Sequence, residues 1–307
     1  MELAITRDLE VKSGTTSFLG LPLFRQAFFF ISYLMSFLLK YMTSRRLAYF
    51  LIFFLLFFTN NIQSQVNIMG KPGYMMTPSA DWFEEKPLGF TFSYVPNEYS
   101  LFETPVDKNT LNFYNVRAGI TSFMEVNLSI ARRPQIPDKI GVGDRQLDFR
   151  FRLLKEKEHW PALVLGWTPP GSISPILAHD YLVATKHFNT SLGNFSASLG
   201  YGSPYVLVRS PEGNFLDLQI KKKKDYKGVT YLTGFYGAAS YMPVNFGGIM
   251  IEHDTQTFNA GIFVKYKEWL YLQAYTFEAK KIAFTTSINF SLDFSPNTLR
   301  KYAKDLD

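Results

Sequence analysis

From residue 282 to 294 the chain places Ile282, Phe284, Thr286, Ile288, Phe290, Leu292 and Phe294 at one set of alternate positions, and Ala283, Thr285, Ser287, Asn289, Ser291 and Asp293 at the other. A repeat of two marks a strand with one apolar and one polar face, and helical spacing cannot produce it. The same alternation sets Met124, Val126, Leu128 and Ile130 against Glu125, Asn127 and Ser129, and Leu147, Phe149, Phe151 and Leu153 against Asp148, Arg150 and Arg152. It returns around Leu88–Tyr94, Phe195–Tyr201 and Phe258–Tyr266. With less regular segments between them, twelve strands are predicted, at 88–96, 111–119, 123–131, 145–154, 161–168, 179–188, 193–201, 231–242, 245–253, 257–266, 269–278 and 281–294.

These lengths suit membrane strands of roughly 9–11 residues. The early connections alternate between long (97–110, 132–144, 169–178, 202–230) and short (120–122, 155–160, 189–192, 243–244). Long outer loops with short inner turns, and an even strand number, are the pattern of an antiparallel transmembrane outer-membrane β-barrel. A soluble β-sandwich also alternates, but it would bury its greasy faces between two sheets. Aromatic residues near strand ends, Tyr94, Tyr201, Tyr241, Tyr266, Trp269 and Phe294, suit interfacial girdles and favour the barrel.

The first 65 residues break the pattern. Leu47–Phe58 is apolar and uncharged, follows Arg45-Arg46, and is followed by a polar stretch reaching Ser64. That is the layout of a signal peptide whose natural start is Met42, within a leader of residues 1–65. Pro72, Pro78 and Pro87 make residues 66–87 too broken for a central strand. This segment is expected to be periplasmic or to fold into the periplasmic mouth as a partial plug. The barrel is expected over 88–294, with a periplasmic tail at 295–307.

Charge and composition narrow the partners. The 307 residues carry a net charge of +6, but six bases and three acids lie in the leader, so the remainder carries only +3. Nucleic acid is therefore not expected as a partner. The chain has 30 Phe and no Cys, which removes disulfides, thiol nucleophiles, Cys-based zinc sites and a lipidated N-terminal Cys. No cofactor or metal is expected. His159, His179, His187 and His253 lack the spacing of a helix-borne metal site, and no motif sets a nucleophile beside a base.

Two polar groups remain. Arg117, Glu125, Asp148, Arg150, Arg152, Glu252, Asp254, Lys265 and Glu278 fall on the lumen side and mix both signs. They describe either a salt-bridged filling of a narrow barrel or a polar passage. Lys221, Lys222, Lys223, Lys224 and Lys227 form a basic run in the long 202–230 loop. On the barrel parity the run is extracellular, either as a solvated tip or as a contact for acidic polysaccharide or lipopolysaccharide phosphate.

The segment Gly70-Lys71-Pro72-Gly73-Tyr74-Met75-Met76-Thr77-Pro78-Ser79-Ala80 resembles the opening motif of YjbH-like outer-membrane proteins, carried here by Gly70, Gly73, Pro78, Ser79 and Ala80. Leu147–Glu156 with Pro161–Trp167, and Tyr181–Phe188 with Ser198–Gly202, are similar to two of that family's hairpins. Phe246–Asp254 is similar to a further strand, with His253 in place of an aromatic residue. The resemblance implies an outer-membrane barrel of a Gram-negative bacterium that assists exopolysaccharide secretion or surface assembly without catalysis. Its partners would be outer-membrane lipid, polysaccharide and other export-machinery proteins. A general diffusion porin and a structural or adhesive surface barrel are the alternatives.

Overall fold

The computed structural model describes residues 65–96, 99, 110–134, 143–170, 177–210, 217–225, 231–267 and 269–291. Residues 1–64 of the expected leader, with the expected start at Met42, and Lys227, Phe294 and the tail 295–307 lie outside the described residues; Gln65, assigned to the leader from sequence, is described and buried. The described chain is all-β. Its strands are β1 (Leu88–Val95), β2 (Leu111–Gly119), β3 (Met124–Arg132), β4 (Asp144–Leu154), β5 (Ala162–Trp167), β6 (Tyr181–Thr190), β7 (Gly193–Gly202), β8 (Tyr205–Arg209), β9 (Leu218–Lys222), β10 (Gly234–Val244), β11 (Gly247–His253), β12 (Phe258–Tyr266), β13 (Leu270–Phe277) and β14 (Lys281–Phe290).

Twelve of these strands form a closed antiparallel barrel in chain order, while β8 and β9 make a separate two-stranded sheet. Closure comes from β1 pairing with β14, in register from Leu88 opposite Phe290 to Tyr94 opposite Phe284. No barrel strand is left with a fully open edge, though β6 outruns β5, so Lys186–Thr190 pair with β7 alone and the His187 N–H donates to the Glu156 carboxylate. The turns β2–β3, β4–β5, β6–β7, β10–β11 and β12–β13 share one end of the barrel with the start of β1 and the end of β14. The longer connections leave the opposite end.

The side-chain alternation resolves into an inverted protein. Leu199, Ile249, Ile251, Ile262 and Phe290 are exposed on the outer wall, whereas Asn115, Arg117, Glu125, Asn127, Asp148, Arg150 and Glu252 are buried inside. A sandwich would do the reverse, burying the apolar faces, and the closed strand order removes that alternative. Outward aromatic pairs gather near both rims: Tyr94 with Phe284, Tyr201 with Phe235 and Phe149 with Trp167 toward the long loops. Phe195 with Tyr241, Tyr266 with Trp269 and Phe90 with Phe290 lie toward the short turns.

A twelve-stranded wall encloses more space than its own side chains can fill, since about eight strands already reach that limit. Residues 65–80 occupy the remainder, and nearly all of them are buried. They form a knot of turns rather than a strand. The Ile68 amide donates to the Met75 carbonyl at 2.9 Å, and Val66 with Pro72 and Gly73 with Pro78 make isolated bridges. Gly70 turns the chain at φ +74°, and an added Cβ would lie 2.4 Å from the Cβ of Asn115, so glycine answers both the conformation and the close approach. Two lumen tyrosines also need bare backbone opposite them. Tyr181 lies over Gly166 and Tyr236 over Gly200, each across a ladder pair.

Several sequence expectations shift. The 202–230 connection is not plain loop, because β8 and β9 pair within it. His179 and Asp180 precede β6 rather than open it, and Tyr231 and Leu232 precede β10, Leu232 taking a positive φ of 45°. All but Asp180 are turned into the barrel and buried. Alternation cannot foretell this, because it describes only residues already in the ladder. Glu278 is not a lumen residue: it sits at φ 47° in the turn between β13 and β14, exposed, bonded to Lys280 and the Tyr99 hydroxyl.

Candidate functional site

The lumen wall and the inner segment form one polar interface. At the tip of the segment, the Glu252 carboxylate on β11 accepts the backbone N–H groups of Met75 at 3.1 Å, Met76 at 2.8 Å and Thr77 at 3.1 Å. The Thr77 hydroxyl and the Asn259 amide complete the shell at 2.9 and 3.1 Å. Three successive amides turned toward one anion make a backbone nest. Here the nest belongs to the inner segment and the anion to the wall. From above, the Tyr231 hydroxyl donates to the Met76 carbonyl at 3.0 Å.

Lower in the lumen a second group ties the segment to β4. The Lys71 ammonium lies 2.7 Å from the Asp148 carboxylate, and both side chains are sealed from solvent. Asp148 also accepts from Gln146 at 3.0 Å and from the Thr168 hydroxyl at 2.9 Å. Lys71 Nζ further contacts His179 Nε2. His179 Nδ1 is 2.7 Å from the Leu177 carbonyl, which can only accept, so Nδ1 carries the proton and Nε2 offers its lone pair to Lys71. Burial, reinforced by the Lys71 charge, pushes the His179 imidazole down to about 3. Burial likewise draws Lys71 below its ordinary value, with Asp148 opposing.

Arg117, Glu125 and Arg150 form a third group. Glu125 pairs with Arg117 at 3.3 Å and with Arg150 on its other oxygen. Arg117 also donates to the Asn289 side chain at 2.8 Å, closing the ring toward β14, and its guanidinium lies 4.1 Å from the Phe83 ring centre. Arg150 clamps the returning segment by donating to the carbonyls of Ser79 at 2.8 Å and Asp81 at 3.0 Å. Asn115 and Asn127 hold the carbonyls of Ile68 and Met69, and the Ala80 amide donates to the Thr185 hydroxyl at 2.7 Å. With so many wall-to-segment bonds, residues 65–80 are a plug seated through the lumen.

Of the predicted lumen residues, Arg117, Glu125, Asp148, Arg150 and Glu252 are thus brought into this interface. Arg152 lies nearer the short-turn mouth and pairs with Glu84 at 2.6 Å. Asp254 caps the β11–β12 turn, accepting from the Gln256 and Thr257 amides and from Asn259. Lys265 faces inward near the short-turn end and is buried. The motif residues all lie in the plug. Gly73 is pressed against the Thr77 carbonyl, Pro78 bridges Gly73, and the Ser79 hydroxyl donates to Asp81 at 2.8 Å.

The basic run is divided. Lys222 and Lys224 are exposed and Lys221 is half-buried. Lys223, read from sequence as part of a solvated tip or polyanion contact, is buried, because the β8–β9 hairpin turns it inward. Burial pushes its ammonium down to about 8, against the pull of Asp180. Lys71, His179 and Thr185 were missed as site residues. Lys71 was visible only as the odd charge inside an otherwise uncharged motif.

A family model described as exopolysaccharide biosynthesis protein YbjH matches residues 65–305, from the plug through every barrel strand. The chain belongs to the YjbH family. Comparison with curated proteins gives no match. The match covers the described plug residues together with the barrel. Among the described residues, no group of three or more His, Asp or Glu side chains is placed to hold a metal ion.

Proposed function

We propose that this YjbH-family chain is an outer-membrane β-barrel that assists exopolysaccharide secretion or surface assembly without catalysing a reaction. The observation that carries this reading is the family match over a closed barrel whose outer wall is apolar and whose polar residues point inward. Such a wall is satisfied by hydrocarbon, and the two aromatic rims suit the two interfaces of a bilayer. With both barrel termini at the short-turn end, that end faces the periplasm and the long connections face outward. The barrel's charged lumen residues are largely spent on one another and on the plug, which supports a non-catalytic role. Its partners are outer-membrane lipid, the polysaccharide and proteins of the export machinery.

A general diffusion porin needs an open lumen, and the plug argues against that in the resting state. The test is a clean gene deletion with cell-bound and released polysaccharide measured, a plasmid copy as control and outer-membrane permeability checked alongside. Loss of polysaccharide restored by the plasmid is the expected result. Unchanged polysaccharide with altered solute uptake would replace this reading with the porin, and lost attachment with normal polysaccharide would replace it with an adhesive barrel.

A further inference from the structure

Where the plug leaves the lumen, at the short-turn mouth, a cleft of about 1030 Å³ opens between residues 80–85, the β4–β5 turn and the end of β6. That reaches the upper end of the roughly 300–1,000 Å³ common for ligand sites. Its walls are held by ion pairs that each join two different elements. Glu84 on the plug exit pairs with Arg152 of β4 at 2.6 Å and with Lys155 at 3.2 Å. Glu156 of the turn pairs with Lys186 at 2.9 Å and His187 at 2.6 Å on β6, and His187 reaches back to Asp81 at 3.3 Å. Trp82 lines the same cleft, half-buried, with the Arg152 guanidinium 4.8 Å from its ring centre.

The chemistry of this lining is specific. The lining carries four Lys or Arg against five Asp or Glu, so it has no excess of positive charge with which to collect a polyanion. A carboxylate has about four lone-pair sites, and an ammonium has three donors, so Glu84, held by two bonds, and Glu156, held by three, keep capacity for a ligand's hydroxyls. An indole ring supplies an apolar platform with a polar edge. Fixed donors and acceptors of both kinds around an aromatic ring match a sugar, which offers hydroxyls along its rim and C–H groups on its face.

Resting on the exopolysaccharide reading above, we infer that this cleft binds a segment of saccharide chain through its hydroxyls, with Trp82 as platform and Glu84, Arg152 and Glu156 as hydrogen-bonding groups. The site touches the plug exit directly, so a chain bound there contacts the same segment that fills the lumen.

The experiment uses the purified full-length protein in detergent and short oligosaccharides prepared by partial hydrolysis of the polysaccharide that the same cells release. Binding is read by calorimetry at low and high salt. The expected result is binding that salt leaves nearly unchanged and that falls roughly tenfold or more in Trp82→Ala, with a smaller loss in Glu84→Ala. Glu84 is exposed, so its variant keeps the test valid where Trp82→Ala does not fold, and Gln219→Ala on β9, at the far end, binds as the unaltered protein does. No binding, equal binding by both cleft variants, or steep weakening with salt overturns the site. In cells, a gene deletion that leaves polysaccharide unchanged sinks the exopolysaccharide reading. A deletion defect fully restored by both cleft variants sinks the cleft alone.

Discussion

Taking away one member of the Lys71–Asp148 pair leaves the other charge buried without its counter-ion, the costly way to break a buried ion pair. Lys71→Met or Asp148→Asn is expected to lower stability by about 3–5 kcal/mol, and the double variant by much less than the sum. Urea unfolding of the detergent-folded protein, run as a double-mutant cycle, measures this. Their neighbour His179 makes stability depend on pH. In the fold its imidazole stays neutral down to about 3, whereas in the unfolded chain it takes up a proton near the ordinary 6.5. Between those values the unfolded state binds more protons, so stability falls as pH drops, by up to about 1.4 kcal/mol per pH unit. A His179→Gln variant is expected to flatten the unfolding midpoint against pH in that window. An unchanged slope would mean that the imidazole charges in place.

Among the elements, the plug is the one whose order depends on the others. It has no ladder of its own, and the backbone groups that its internal turns leave over are met by wall side chains. Glu252 alone accepts three of its amides. Glu252→Ala is expected to leave donors unmet at about 1–3 kcal/mol each, less whatever water recovers. Hydrogen exchange is the direct readout: the amides of Met75, Met76 and Thr77 lose protection while those of β1 and β14 keep theirs. Equal protection in the variant would show that the plug tip is held by packing alone. The barrel strands, by contrast, were legible to within a few residues, because each carries its inside and outside in its own alternation. β2 spans 111–119 as read, and β12 spans Phe258–Tyr266 against 257–266.

At the scale of the whole molecule, the outer wall behaves as one apolar belt. Ile262 lies in the middle of β12 and is exposed. Ile262→Arg is expected to cost about 2–4 kcal/mol in a bilayer, the depth-dependent penalty for a cation on a lipid-facing strand. Folded yield in vesicles, read from heat-modifiable gel mobility, tests it, and a variant that folds as well as the parent would remove the membrane from the picture. The lumen obeys the opposite rule. Phe113 and Val95 are buried there as well, because the plug brings its own apolar residues, Ile68, Met69 and Met75, into the same core.

The sequence by itself determined the twelve barrel strands, though not β8 and β9, and the polar character of the inner face, since a period of two is written into each barrel segment without reference to any other. By the same alternation Arg117, Glu125, Asp148, Arg150 and Glu252 fall on the inner face. Only the tertiary structure decided what those residues do. Whether Asp148 lines a passage or locks a plug depends on Lys71, 77 positions earlier, arriving at 2.7 Å. Whether Lys223 is solvated depends on a hairpin folding back against Asp180. Such contacts join segments far apart in the chain and follow no local period, so closure of the barrel, rather than any stretch of sequence, brings them together.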